Sequence, residues 1–159
     1  MIIYLASPLG FAESTRLFME QLAAALRARA DVLNPWDNPE PALLYPPVKD
    51  LPTHRERIAR WQEINTAIGK ANQEMIDASD TIVAVLDGVD VDSGTASEIG
   101  YGFGMGKRIY GLRTDFRATG ENEGGLVNLQ VRYFIDASGG TVVATVDDLL
   151  QTMFGAEAG

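Results

Sequence analysis

One segment near the middle of the chain constrains the fold most: Thr81-Ile82-Val83-Ala84-Val85-Leu86. Its residues are apolar or β-branched, with almost no alternation of apolar and polar side chains. Such a run is typical of a strand that is covered by helices on both faces. Asp87-Gly88-Val89-Asp90 then ends the pattern. We therefore expect an open α/β sheet, with acidic side chains just beyond the carboxyl end of this strand, where such sheets bind ligands.

The rest of the chain alternates strand-like and helix-like segments. Strands are predicted at 2–6, 31–33, 81–86, 108–112 and 141–144, and helices at about 14–29, 53–78, 95–107, 126–134 and 146–153. In the first helix, Leu17, Phe18 and Leu22 share one face, as in an amphipathic helix. This alternation predicts a doubly wound, flavodoxin-like α/β fold: five parallel strands with helices on both faces.

Composition narrows the class of protein. A chain of 159 residues with 46% apolar and 22% charged residues predicts a single globular domain over 1–159. The net charge of −9 argues against nucleic acid as a partner. There is no cysteine, which excludes disulfides, thiolate metal sites and a cysteine nucleophile. Without a long apolar run or a basic start like that of a signal peptide, we expect a cytoplasmic protein with no membrane partner.

Two other patterns carry no clear chemistry. The glycine series over 100–107 fits neither G-x-G-x-x-G nor G-x-x-x-x-G-K-[ST], so we interpret it as a closely packed helix. The single histidine, His54, lies in a charged helix start with no partner group nearby in sequence, and we interpret it as a surface residue. No cluster has the spacing of metal ligands. We therefore predict neither a metal nor a cofactor.

The turn over 92–100 places two carboxylates after the apolar strand. Thr95-Ala96-Ser97-Glu98 matches a capping box, in which Glu98 would bind the Thr95 amide. The same helix start would keep Glu98 ionised at neutral pH, as a nucleophile requires. Asp92 then sits six residues away and either protonates a leaving group or is a solvated turn residue. Two carboxylates in the first pair of roles cleave a glycosidic bond with retention, and the residues alone leave these alternatives open.

Three segments together resemble the nucleoside 2-deoxyribosyltransferase family: Ile3-Tyr4-Leu5-Ala6-Ser7-Pro8, the Asp92-Ser93-Gly94-Thr95-Ala96-Ser97-Glu98-Ile99-Gly100 turn, and Gly106-Lys107. The similarity runs from the first strand to about Asn128-Leu129. It implies that Glu98 attacks C1′ of a 2′-deoxynucleoside and that Asp92 protonates the departing base nitrogen. It also implies that the Tyr4 hydroxyl orients Glu98 and that Gly94, within the motif, belongs to the substrate site.

The resemblance extends to two asparagines. Asn72 is expected to hydrogen-bond to the sugar or to the nucleophile, and its amide cannot act as an acid or base. Asn128 is expected to reach the sugar of a ligand bound to a neighbouring subunit, which implies a homodimer or a higher homo-oligomer. Helix capping is an equally good interpretation of Asn128, because asparagine is a preferred N-cap.

Residues after the first two strands are expected to contact the substrate. Trp36 and Asp37 lie in the proline-rich segment 34–41, which we predict covers the base, since planar bases stack on aromatic rings. Phe11 has a similar expected role, although either aromatic ring can instead belong to the core. Ser7, directly after the first strand, completes the predicted substrate-binding set.

The resemblance thus predicts a transferase of nucleotide salvage whose partners are small nucleosides and nucleobases. It would exchange bases through a covalent deoxyribosyl-Glu98 intermediate with retention. One alternative is an N-glycosidase of nucleosides or their 5′-monophosphates, in which water resolves the intermediate. Another is a non-catalytic nucleotide-binding module on the same fold.

Overall fold

The computed structural model describes residues 1–38 and 48–155. Its strands are β1 (Ile2–Ala6), β2 (Asp31–Leu33), β3 (Thr81–Val85), β4 (Arg108–Leu112) and β5 (Val142–Val143). Its helices are α1 (Glu13–Arg27), α2 (His54–Ala78), α3 (Ser93–Gly104), α4 (Leu129–Ala137) and α5 (Val146–Phe154), and a short 3₁₀ helix spans Pro35–Asp37. Residues 39–41 of the predicted base-covering segment lie outside the described residues.

All five strands form one parallel sheet in the order β2-β1-β3-β4-β5. Tyr4 of β1 lies opposite Leu33 of β2 on one side and Ile82 of β3 on the other. The order 2-1-3-4-5 is that of flavodoxin-like sheets. The predicted fold class is therefore confirmed.

Alternate residues of the strands build two cores, one on each face of the sheet. On one face, Leu5 and Val83 pack with buried residues of α1 and α5. On the other face, Tyr4, Ile82 and Ile109 pack with buried residues of α2, α3 and α4. The side chains of β3 alternate between the two faces of the sheet and pack into both cores, which explains its unbroken apolar sequence.

Helix ends differ from the sequence expectations by a few residues, for local reasons. The helix predicted to begin near 126 begins at Leu129, because the Asn128 side chain accepts hydrogen bonds from the backbone N–H groups of Gln130 and Val131. The helix α3, predicted to reach 107, ends at Gly104, and Gly106 reverses the chain with a φ of 73°. A residue with a Cβ would be strained in that conformation.

The sheet order determines where a ligand can bind. From β1 the chain passes to β2 on one side and then returns to β3 on the other, so the loops after β1 and β3 diverge at the carboxyl edge of the sheet. Such a switch point leaves a crevice, which is the usual ligand site of open α/β sheets. Within residues 1–38 and 48–155, no helix combines the length and apolar character needed to cross a membrane.

Candidate active site

A cavity of about 470 Å³ lies at this switch point. Four parts of the chain form its walls: the loop after β1, the 3₁₀ helix and its end, one face of α2, and the beginning of α3. The lining residues are Ser7, Phe11, Pro35, Trp36, Asn38, Asn65, Ile68, Ala71, Asn72, Asp92, Gly94, Thr95 and Glu98. The structure thus brings seven of the ten predicted site residues to one cavity, and an eighth, Tyr4, contacts it through Glu98.

The Glu98 carboxylate is held from two directions. The Tyr4 hydroxyl donates a hydrogen bond of 2.7 Å to Oε1 of Glu98, and Nδ2 of Asn72 donates one of 3.4 Å to the same oxygen. Tyr4 is fully buried within β1, so its hydroxyl has a fixed position. Both hydrogen bonds end on Oε1, and no described residue donates a hydrogen bond to Oε2 of Glu98. This arrangement orients one oxygen and leaves the other available for reaction.

Burial determines the ionisation of this pair. Desolvation raises the pKa of Glu98, the Tyr4 hydrogen bond lowers it, the nearby negative charge of Asp92 raises it, and the Asn72 hydrogen bond lowers it. The net result is a pKa above the ordinary value, with desolvation as the largest influence, so the environment of Glu98 disfavours the charged form, in contrast to the effect expected from the helix start. Burial, followed by the charge of Glu98, also raises the pKa of Tyr4. Tyr4 therefore keeps its proton at neutral pH and acts as a hydrogen-bond donor.

Asp92, rather than Thr95, caps α3. Its Oδ2 accepts a hydrogen bond of 3.1 Å from the backbone N–H of Thr95, and the helix begins at Ser93. Thr95 is already in the first turn and only 2% exposed. The predicted capping box over Thr95 and Glu98 is therefore wrong, and Glu98 lies in the second turn, facing Tyr4. A Cβ on Gly94 would lie 3.0 Å from Oδ2 of Asp92, so glycine there leaves this carboxylate room.

Two aromatic rings form an apolar wall of the cavity. Phe11 and Trp36 meet edge to face, with ring centroids 4.6 Å apart and an interplanar angle of 86°. Nε1 of Trp36 donates a hydrogen bond of 2.7 Å to the carbonyl oxygen of Ser7, which fixes the indole relative to β1. The indole lies so close to Gly10 that a Cβ there would come within 2.1 Å of it. Phe11 is 76% exposed and is therefore not a core residue.

The structure does not bring Asp37 to this cavity. Its carboxylate forms an ion pair with Arg27 of α1 and accepts a hydrogen bond of 3.3 Å from Nδ2 of Asn34. It lines a second cavity of about 410 Å³, which also borders Trp36. The turn of the 3₁₀ helix points Asp37 toward α1 and leaves Trp36 in contact with both cavities.

Asn128 also lies away from the cavity within one chain. Its Oδ1 caps α4, and its Nδ2 donates a hydrogen bond of 2.6 Å to Oε1 of Glu121. The capping interpretation thus holds in the single chain. The predicted contact with a neighbouring subunit stays a prediction.

Sequence reasoning missed three residues of α2 that line the cavity. Asn65, Ile68 and Ala71 line the cavity together with the predicted Asn72. The signal was available as spacing, since residues 65, 68 and 72 share one helical face. No group of three or more acidic or histidine side chains within 1–38 and 48–155 is placed to hold a metal ion.

Comparison with known proteins assigns this arrangement to a family. A model of the nucleoside 2-deoxyribosyltransferase family matches residues 3–130, which include Tyr4, Asn72, Asp92, Glu98 and Asn128. The chain belongs to this family. The nucleoside 2-deoxyribosyltransferase family and the structural neighbours below include enzymes that act on nucleosides or nucleotides. No curated protein matches the chain.

Solved structures share the same fold over nearly the whole chain. A conserved protein from Enterococcus faecalis V583 is 27% identical, with a TM-score of 0.64 and 96% coverage of each chain. A 2-deoxyribosyltransferase from Bacillus psychrosaccharolyticus is 23% identical, with a TM-score of 0.66 and coverage of 94% of this chain and 90% of that one. A CMP N-glycosidase from Clostridium botulinum is 22% identical, with a TM-score of 0.57 and coverage of 96% and 97%.

Proposed function

We propose that this protein exchanges nucleobases between 2′-deoxyribonucleosides through a covalent deoxyribosyl-Glu98 intermediate. The observation that carries the proposal is the 2.7 Å hydrogen bond from the buried Tyr4 hydroxyl to one oxygen of Glu98. It presents the carboxylate to a cavity that also contains Asp92. Membership of the nucleoside 2-deoxyribosyltransferase family supports the same reaction.

In the first step, Oε2 of Glu98 attacks C1′ of the bound nucleoside. The C1′–N bond breaks, its electron pair stays on the base nitrogen, and Asp92, which takes up a proton from solvent before this step, gives that nitrogen the proton. In the second step, the nitrogen of an incoming base attacks C1′, the C1′–Oε2 bond breaks, and the proton of the incoming base returns to Asp92. Two displacements at C1′ restore the original configuration, as in retaining glycosidases.

Tyr4 and Asn72 would position the nucleophile without exchanging protons. The burial that raises the pKa of Glu98 also strips water from it, which favours attack on carbon. The two hydrogen bonds offset part of the cost of holding a charged carboxylate in this position. Phe11 and Trp36 offer the apolar surface on which a planar base can stack.

The charge of the cavity favours nucleosides over nucleoside monophosphates. Its only charged lining residues among those described are Asp92 and Glu98, both acidic. Residues 39–47 contain no lysine or arginine, so that segment adds no cation. A 5′-phosphate is normally held by charge-assisted hydrogen bonds from cations or by backbone N–H groups, and at the start of α3 the Asp92 carboxylate already accepts the hydrogen bond of the Thr95 N–H. We therefore propose an uncharged 2′-deoxynucleoside as the substrate.

The decisive assay incubates the protein with deoxyadenosine, with and without free thymine. We expect thymidine to form when thymine is present, and the Glu98→Gln variant to form none while its melting curve remains cooperative. Release of adenine that is independent of thymine would instead indicate the hydrolase. Binding of deoxyadenosine without any turnover would indicate a nucleotide-binding module. Deoxyadenosine 5′-monophosphate serves as the control donor and should react far more slowly.

We also propose that the protein is a cytoplasmic enzyme of nucleotide salvage. It would form a homodimer or a higher homo-oligomer in which Asn128 completes the site of a neighbouring subunit. Leu126 and Leu129 on either side of Asn128 are 46% and 57% exposed, which leaves an apolar surface at this helix start. Light scattering after size exclusion should give at least twice the monomer mass. A monomer with full exchange activity would contradict this part of the proposal.

A further inference from the structure

One face of α2 forms a graded wall of the cavity. Asn65, Ile68 and Asn72 follow one another along it, with Ala71 beside them. At a rise of about 1.5 Å per residue, the seven residue steps from Asn65 to Asn72 span about 10 Å along the helix axis. Asn72 donates its hydrogen bond to Glu98, so it marks the reacting end of the cavity. Asn65 therefore lies at the opposite end of this wall.

Apolar residues line the cavity from α2 and from the segments that follow β1 and β2. Ile68 and Ala71 line it from α2, and Phe11 and Trp36 line it from the β1 loop and the 3₁₀ helix. The 3₁₀ helix contacts α2, so these apolar residues belong to adjacent elements. With C1′ beside Glu98, a base that lies along this face of α2 would direct its far edge toward Asn65.

We propose that the Asn65 side chain hydrogen-bonds to the exocyclic group on the far edge of the base and so determines which bases are accepted. This inference rests on the proposed function. Asn65 is exposed to the cavity, and no described residue forms a hydrogen bond with its amide. A carboxamide both donates and accepts, so by rotating it serves an amino group as well as a carbonyl oxygen. The site would therefore accept bases of both kinds.

The Asn65→Asp substitution tests this role, because a carboxylate accepts hydrogen bonds but does not donate them. It keeps a bond to the amino group of adenine or cytosine and loses the bond to the carbonyl oxygen of hypoxanthine or uracil. We expect kcat/KM for deoxyinosine and deoxyuridine to fall about three- to tenfold more than for deoxyadenosine and deoxycytidine, the range for one neutral hydrogen bond. Asn65→Ala should lower kcat/KM for all four donors.

The matched control is Gln62→Glu, which adds the same charge to an exposed position of α2 that does not line the cavity. It should leave the ratio between amino and carbonyl donors unchanged. If wild-type protein exchanges bases and Asn65→Asp changes all four donors equally, this inference is overturned and the proposed function stands. If the wild type neither exchanges nor releases any base, the proposed function fails, and this inference fails with it.

Discussion

Replacing Tyr4 by phenylalanine tests how the nucleophile is kept ionised. The change removes one hydroxyl from a fully buried ring and keeps its volume, so the sheet should remain intact. What is lost is the 2.7 Å hydrogen bond to Oε1 of Glu98. That bond lowers the pKa of Glu98 against the larger effect of burial, so the pKa must rise when the bond is removed.

The magnitude follows from the strength of the bond. A hydrogen bond to a charged group contributes about 1.5 to 3 kcal/mol, and about 1.4 kcal/mol corresponds to a factor of ten. The reactive form of Glu98 is the carboxylate, which becomes scarcer as pH falls. In Tyr4→Phe, kcat/KM should therefore fall by about ten- to a hundredfold on the acid side of the profile. The deficit should shrink as pH rises, because Glu98 is then ionised in both proteins.

The assay is base exchange measured as kcat/KM from acidic to alkaline pH, which reports the ionisations of the free enzyme. Tyr110→Phe is the matched control, since Tyr110 is also buried but packs on the opposite face of the sheet, in the other core. Its profile should match that of the wild type. A Tyr4→Phe profile that differs from the wild type by the same factor at every pH would refute the reasoning.

Three further predictions follow from the cavity. Asp92→Asn keeps a good N-cap for α3 but cannot supply a proton, so exchange should slow by about 10²- to 10⁴-fold while the melting temperature stays unchanged. A donor whose base leaves without protonation should react with the variant as fast as with the wild type. A large loss of stability would contradict this prediction. Gly10→Ala should displace the Trp36 indole, which raises KM and lowers the free energy of unfolding, measured in urea, by about 1 to 3 kcal/mol. An unaltered KM would contradict the role of the aromatic wall in substrate binding. Glu98→Gln should melt at a higher temperature than the wild type at neutral pH. Burial raises the pKa of Glu98, so the wild-type native state loses stability as pH rises through that pKa. The difference in melting temperature should vanish at acidic pH, and a difference that is constant with pH would disprove this prediction.

The fold was largely predictable because its signals are local and strong. The apolar run of β3 implies two covered faces wherever it occurs, and both cores indeed pack against it. The bounds of β1, β2 and β4 also match their predicted ranges. Helix ends were less predictable, because Asp92 and Asn128 cap their helices with side-chain contacts that depend on the whole turn.

The site was predictable only in part, because its chemistry depends on contacts between distant segments. Tyr4 and Glu98 are 94 residues apart, and residue patterns alone do not show that burial raises the pKa of Glu98. Asn65 belongs to no motif: its spacing from Asn72 places it on the same face of α2, but its place in the cavity also depends on how α2 packs against the 3₁₀ helix. Asp37 was adjacent in sequence to Trp36 but points to Arg27 instead.

The most direct test of the central claim is to trap the covalent intermediate. The wild-type protein is incubated with a 2′-fluoro-2′-deoxynucleoside that reacts slowly, and intact-mass and peptide mass spectrometry locate any adduct. We predict one fluorodeoxyribosyl group per chain, attached to Glu98, which disappears when a free base is added and the exchanged nucleoside forms. An adduct on another residue, or exchange by the Glu98→Gln variant at the wild-type rate, would contradict the account.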